Sequence, residues 1–186
     1  MAYYDQLEHG TRVTTVQKML NEKNLDIALV YYDEFNLGNG WYLTAWCPQF
    51  ESGAVVIPAE GKPMIIGGPE SEPFAKQDSA IKETRNLPVF MVPDEEYPNA
   101  HIIDFAELFA ELSATGIKRA GIVGMEQMPV SVYRGIKENF NGVELVDITD
   151  EFLRLRYVKS DWEREQIRTA FSMCDSAYDA MAAAIA

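Results

Sequence analysis

Basic residues, histidines and cysteines are all scarce in this sequence. Its 186 residues include 16 Lys and Arg against 29 Asp and Glu, for a net charge of −13, and only two histidines and two cysteines. Nucleic acids and anionic membranes both attract clustered Lys and Arg, so this balance argues against either partner. The sequence also has no long apolar run, and residues 1–10 do not resemble a secretory leader, so we expect a cytoplasmic protein.

The histidines and cysteines, which are common in catalytic and metal sites, lie far apart in this sequence. His9 and His101 have no acidic or histidine partner four residues further on, and HExxH is missing, so we expect no metal site. We expect His9 to lie in a frayed terminus. Cys47 and Cys174 fit no CxxC or zinc spacing; Cys47 is predicted to be a partly buried thiol and Cys174 to pack on a helix face. GxSxG, GxGxxG and Walker sequences are also missing.

The segments that are present alternate between strand and helix patterns. Residues 25–32 (LDIALVYY) are almost wholly apolar, which predicts a central strand covered on both faces. Gly is suited to the turn at Glu60-Gly61, so residues 53–58 and 62–67 are predicted to form a β-hairpin. The remaining patterns predict strands within residues 81–92, 119–123 and 143–148, helices over residues 11–24, 69–79, 104–113 and 129–140, and a loop over residues 33–40. This order predicts an α/β fold with a mixed sheet.

The end of the sequence predicts one long helix. Ser160 and Glu163 have the spacing of a capping box, and apolar residues then recur every three or four positions. No cap follows, and the pattern stops in mid-repeat at Ala186. We therefore expect this helix to begin a second domain that continues beyond Ala186. A terminal helix that packs on its own domain or on a partner is the alternative.

Two motifs and the order of elements resemble the creatinase, prolidase and aminopeptidase P family. Residues 155–163 (LRYVKSDWE) are similar to the "LR-x-x-K-S-x-x-E" connector between the two domains of that family. Residues 39–44 (NGWYLT) are similar to its "N-x-x-Y-L-T" segment after the first strand. The resemblance covers nearly the whole sequence.

The resemblance implies an organisation and an activity. Residues 1–156 would form a three-layer α/β/α domain with a mixed central sheet and a ribonuclease H-like motif, and residues 157–186 the connector and the first helix of a catalytic domain. In the family, that catalytic domain holds two divalent metal ions through two Asp, one His and two Glu, all downstream of the connector. We therefore expect no catalytic residue, metal ligand or cofactor within this sequence. The whole protein would be a homodimer that hydrolyses a peptide or a small amide.

The resemblance also implies that the N-terminal domain helps the dimer form and roofs the partner's active site. The candidate residues for an interface or pocket rim are Asp33, Asn39, Trp41, Tyr42 and Trp46, which include an aromatic cluster after a Gly-rich stretch. Core packing is the alternative for Tyr42, and a solvated loop position is the alternative for Asp33. A stand-alone α/β binding module without an attached enzyme is the alternative function.

Overall fold

The computed structural model describes residues 5–48, 51–93, 95–113 and 116–185. The chain divides into two compact units, Met1–Phe152 and Leu153–Ala186. The domain boundary expected after residue 156 stays a prediction. Within the described residues, the strands are β1 (Ile27–Tyr32), β2 (Gly53–Pro58), β3 (Met64–Gly67), β4 (Thr84–Asn86), β5 (Arg119–Val123) and β6 (Glu144–Asp147). The helices are α1 (Gln6–Glu22), α2 (Leu37–Thr44), α3 (Glu72–Asp78), α4 (Phe105–Ser113), α5 (Val130–Asn139), α6 (Thr149–Leu155) and α7 (Asp161–Ile185).

The strands form one mixed sheet in the order β4-β3-β2-β1-β5-β6. β1 pairs antiparallel with β2 and parallel with β5, so Leu29 lies between Val56 and Ile122. β2 and β3 form the predicted antiparallel hairpin. β3 with β4 and β5 with β6 are parallel pairs. The predicted mixed sheet and its hairpin are confirmed.

β1 is the central strand that its composition predicts, because all six of its residues are buried. On one face Ile27, Leu29 and Tyr31 join a core to which α4 and α5 contribute Leu108 and Ile136, among others. The alternate residues of β1 point to the opposite face, where α2 approaches Tyr32. Helices thus cover both faces of the sheet, which confirms the predicted α/β fold.

α1 begins earlier than its apolar spacing predicts. The Asp5 carboxylate accepts hydrogen bonds from the Leu7 and Glu8 amides at 2.8 and 2.9 Å, which caps the helix at its first turn. As a result His9 lies inside α1 and is only 2% exposed. The expectation that His9 sits in a frayed terminus is therefore wrong.

The loop predicted over residues 33–40 is also partly wrong, because α2 already begins at Leu37. Gly40 permits close packing: a Cβ at this position would lie 3.1 Å from the Cys47 sulfur and 3.3 Å from Tyr32 Cγ. A segment with loop composition therefore forms a helix, since tertiary packing outweighs the low helix propensity of glycine. The short helix α6 has no counterpart among the predicted elements.

α7 has the predicted start. The Ser160 amide donates to Glu163 Oε2 at 2.9 Å and the Glu163 amide donates to Ser160 Oγ at 3.1 Å, which completes the capping box. None of the α7 side chains is buried, and Cys174 is exposed, so its predicted packing is wrong. No helix in the described ranges combines the length and the apolarity needed to cross a bilayer.

The approach of Tyr32 to Gly53 generates a stability prediction. A Cβ on Gly53 would lie 2.5 Å from the Tyr32 hydroxyl oxygen and 2.6 Å from the Ile66 carbonyl oxygen. Gly53→Ala is expected to lower the free energy of unfolding by about 1–3 kcal/mol, because the core must shift to admit the methyl group. Urea denaturation measures the change.

Gly10→Ala is the matched control for this prediction. Gly10 lies inside α1 with nothing within 4 Å of its added Cβ, so the substitution should raise stability by about 0.5–1 kcal/mol. Equal effects of the two substitutions would contradict the account of the Tyr32 contact.

Candidate functional site

The candidate site is α2 together with the loop, residues 33–36, that leads into it from β1. Asn39 fixes the helix to the strand: it is 3% exposed, and its Nδ2 donates to the Tyr31 carbonyl oxygen at 3.1 Å. Gly40 lets the same helix approach Cys47 and Tyr32 closely. Asn39 therefore anchors α2 and its side chain is not at the surface.

Asp33 shapes the loop. Its Oδ1 accepts hydrogen bonds from the Phe35 and Asn36 amides at 3.0 and 2.8 Å, and from Asn36 Nδ2 at 3.1 Å. This arrangement is an Asx-type turn, in which the side chain substitutes for backbone partners. It leaves Phe35 78% exposed in the loop before α2.

The two indoles of the candidate set differ in their surroundings. Trp41 lies on the outer face of α2 and is 52% exposed, which is high for so large an apolar side chain. Trp46 is half-buried just after α2, where its amide donates to Thr44 Oγ1 at 3.0 Å. Between them Ala45 takes a left-handed conformation (φ 55°), which ends the helix.

Tyr42 faces inward, toward α1 and α6. The Arg12 guanidinium donates from Nη1 to the Tyr42 carbonyl oxygen at 2.8 Å, and its Cζ lies 4.7 Å from the centre of the Tyr42 ring. The Tyr42 ring also meets Phe152 edge to face, with 5.8 Å between ring centres. These contacts are those of a packed aromatic residue.

The candidate residues are thus gathered on one helix and its flanks, but only part of the set is at the surface. Sequence reasoning missed Arg12, which is buried and joins α1 to Tyr42. The Glu8–Arg12 spacing on a helix is a signal for their ion pair, observed at 3.1 Å. Nothing in the local sequence indicates the contact between Arg12 and Tyr42, since it joins residues far apart in the chain.

Two titratable groups in the segment that follows α2 are partly buried. Burial raises the pKa of the Cys47 thiol to about 12, and the Asp33 charge adds to the shift, so the thiol is a poor nucleophile. Burial likewise raises the pKa of the Glu51 carboxyl; Ser71 opposes that shift, and Glu70 and Glu95 reinforce it. Within the part of the chain that the structure describes, both Glu51 carboxyl oxygens are buried and have no hydrogen-bond partner.

No set of three or more His, Cys, Asp or Glu side chains within residues 5–48, 51–93, 95–113 and 116–185 is placed to hold a metal ion. The candidate site is a helix that is anchored on its inner side and exposes the Trp41 indole. The loop before the helix exposes Phe35. Such an arrangement suits contact with another surface or the edge of a pocket.

Comparison with known proteins identifies the class of this α/β domain. Residues 12–158 match the sequence model of the Creatinase/Prolidase N-terminal domain. The chain therefore belongs to the creatinase/prolidase N-terminal domain family. No curated protein matches the sequence.

Solved structures share the fold. A prolidase from Pyrococcus horikoshii OT3 is 20% identical with a TM-score of 0.64, and the match covers 90% of this chain and 41% of that one. A Xaa-Pro dipeptidase from Bacillus anthracis is 18% identical, with a TM-score of 0.64 and 94% and 42% coverage. A proline dipeptidase from Streptococcus pneumoniae is 19% identical, with a TM-score of 0.59 and 79% and 98% coverage. This chain thus spans about two fifths of the length of the first two proteins.

The buried carboxyl oxygens of Glu51 generate a prediction. Glu51→Gln should raise the free energy of unfolding at pH 7 by about 1 kcal/mol, because the buried charge is removed. In the folded protein the pKa of the Glu51 carboxyl is higher than its ordinary value of 4.5. As the pH falls from 7 toward 4.5, the wild-type carboxyl becomes neutral in the folded state, so the stability advantage of Glu51→Gln becomes smaller. Urea denaturation at several pH values between 5 and 7 measures both effects.

Glu34→Gln is the matched control, because Glu34 is an exposed acid in the neighbouring loop. It should change stability little at any of these pH values. A loss of stability in Glu51→Gln at pH 7 would contradict the account of Glu51 as an acid whose burial is unfavourable.

Proposed function

We propose that this chain is the non-catalytic N-terminal domain of a dinuclear-metal Xaa-Pro peptidase or creatinase-like hydrolase. In that role it helps the dimer form and roofs the active site of the partner subunit. Family membership supports the domain assignment, and the longer related chains are described as a prolidase and a Xaa-Pro dipeptidase. The substrate proposed for the whole protein is a peptide or a small amide.

The exposed indole of Trp41 is the observation that carries the roofing role. Trp41 lies on a helix whose neighbouring positions are fixed, by Asn39 to β1 and by Tyr42 to Arg12. A side chain on so well anchored a helix loses little conformational freedom when it meets a ligand or a partner surface. Its flat apolar ring is suited to packing against a prolyl ring or another short apolar group.

The proposal assigns both divalent metal ions to the catalytic domain. Bound there, such a pair activates a water molecule for attack on an amide bond. The described residues of this chain do not fit a metal pair. The contribution of this chain is to line and cover the substrate pocket.

Truncation of Trp41 in the whole gene product tests this role. Trp41→Ala should lower kcat/KM for a Xaa-Pro dipeptide by about tenfold, equivalent to roughly 1.4 kcal/mol of lost transition-state binding. Fold stability should fall by about 1 kcal/mol, because roughly half of the side chain is buried. Steady-state kinetics and thermal unfolding measure the two quantities.

Phe74→Ala is the matched control, because Phe74 is 60% exposed but lies on α3. It should leave kcat/KM unchanged. Equal losses in both variants would contradict the placement of the rim on α2, and cleavage of the dipeptide by residues 1–186 alone would contradict the non-catalytic assignment.

A further inference from the structure

We propose that Arg12 is the positioning residue for α2, and that His9 makes the hold of Arg12 on that helix dependent on pH. The inference rests on the proposed function in one respect only, which is that α2 forms the rim of the site. The two residues lie one helical turn apart on α1, and both are buried, at 2% exposure for His9 and 6% for Arg12.

The Arg12 guanidinium makes contacts in two directions. Toward α1, its Nε and Nη2 donate to Glu8 Oε1 at 3.2 and 3.1 Å. Toward α2, its Nη1 donates to the Tyr42 carbonyl oxygen at 2.8 Å, and its plane lies by the Tyr42 ring. A lysine cannot make all of these contacts, because its ammonium lacks the planar fork of donors. Arg12 therefore joins α1 to the turn of α2 that carries Trp41.

The hydrogen bonds of His9 define its tautomer. Its Nδ1 lies 2.8 Å from the Asp5 carbonyl oxygen, which can only accept, so Nδ1 carries the hydrogen. Its Nε2 lies 3.4 Å from Arg12 Nη1, which can only donate, so Nε2 must present its lone pair. The geometry thus requires a neutral imidazole that accepts from Arg12.

Protonation of His9 would disrupt this arrangement. A hydrogen on Nε2 would face the guanidinium of Arg12 and place a second positive charge beside it. The repulsion would act on the same Nη1 group that donates to the Tyr42 carbonyl oxygen. Acidification should therefore loosen the contact between α1 and α2.

The other charges around His9 do not cancel the repulsion between protonated His9 and Arg12. On α1 the carboxylates of Asp5 and Glu8 favour the protonated ring, and so does the Asp5 carbonyl oxygen. A cavity of about 300 Å³ beside His9 is lined in addition by Lys62, Lys82 and Glu83, which carry charges of both signs.

Burial, the largest influence, together with the charge of Arg12, nevertheless keeps the pKa of His9 below 6.5. The folded protein therefore resists protonation of His9, while the unfolded chain takes up a proton as the pH falls through about 6.5. The stability that this arrangement contributes is full above this pH and declines below it. The contact with α2 loosens only as the pH falls further, through the lower pKa that His9 has in the folded protein.

Nitrogen-15 NMR of the imidazole rings tests the tautomer. The only other histidine, His101, is exposed, and a His101→Asn variant leaves His9 as the sole imidazole signal. The spectrum should show a hydrogen on Nδ1 and a bare Nε2 at neutral pH. A hydrogen on Nε2 at neutral pH would overturn the proposal.

Amide NMR shifts of α2 test the pH dependence on the 186-residue chain. The Trp41 and Leu43 amide signals should move in the wild type as the pH falls below 6.5 and through the lowered pKa of His9. They should stay in place in His9→Asn, whose amide keeps a donor near the position of Nδ1 and takes up no proton. Identical pH profiles in the two proteins would overturn the proposal.

Hydrogen exchange tests the positioning role of Arg12. Arg12→Gln should raise the exchange rates of the α2 amides at least ~10-fold, and Arg12→Lys should restore only part of the protection. Lys18→Gln is the matched control, because Lys18 is an exposed cation on the same helix, and its α2 exchange should match the wild type. If Arg12→Gln does not fold, Tyr42→Leu removes the aromatic ring beside the guanidinium but keeps the backbone carbonyl oxygen that accepts from Nη1, so it should give a smaller increase.

Unchanged α2 exchange in both Arg12→Gln and Tyr42→Leu would overturn the positioning role. None of these readouts uses a substrate or a partner subunit. An unchanged kcat/KM in Trp41→Ala would therefore contradict the proposed rim without affecting the positioning role of Arg12. Unchanged α2 exchange would contradict the positioning role without affecting the proposed rim.

Discussion

Complete burial of β1 is the constraint on which the rest of the structure depends. Both edges of this strand are paired, to β2 and to β5, and all of its side chains lie between layers of helices. The chain that leaves the strand after Tyr32 must therefore turn at once and cover the sheet. The Asp33 turn and the bond from Asn39 to the Tyr31 carbonyl oxygen achieve this, and they place α2 against the end of β1. The position of the candidate rim is thus a consequence of how the sheet is built.

The buried guanidinium of Arg12 and the buried carboxyl oxygens of Glu51 differ in the partners that surround them. Arg12 has a carboxylate, a carbonyl oxygen and an aromatic ring around its guanidinium, so its burial joins two helices at modest cost. Glu51 has no hydrogen-bond partner among the described residues, and its burial raises its pKa. We expect the first group to add rigidity to the site and the second to lower stability at neutral pH. A chain with a net charge of −13 accommodates most of its acids in solvent, which makes a buried acid such as Glu51 the exception.

Periodicity predicted most of the fold, because β1, the hairpin, α4, α5 and the capping box of α7 depend on local patterns. It failed at α2, whose two glycines and asparagine have loop composition and form a helix only because Gly40 fits against Cys47 and Tyr32. It also failed at His9, where one capping aspartate extends α1 toward the N-terminus. The candidate residues on α2 came from the aromatic cluster after a Gly-rich stretch together with a family resemblance. The contact of Arg12 with Tyr42 could not have been predicted, since it depends on how α1 and α2 pack.

Photo-crosslinking in the whole gene product tests the central claim most directly, which is that α2 roofs the active site of a partner subunit. A photoreactive phenylalanine analogue in place of Trp41 samples what lies against the exposed face of α2. The account predicts a crosslinked species with the mass of a dimer, in which the attached peptide comes from the catalytic domain of the partner. Crosslinks confined to a single subunit, or a monomeric protein in the same solution, would contradict it.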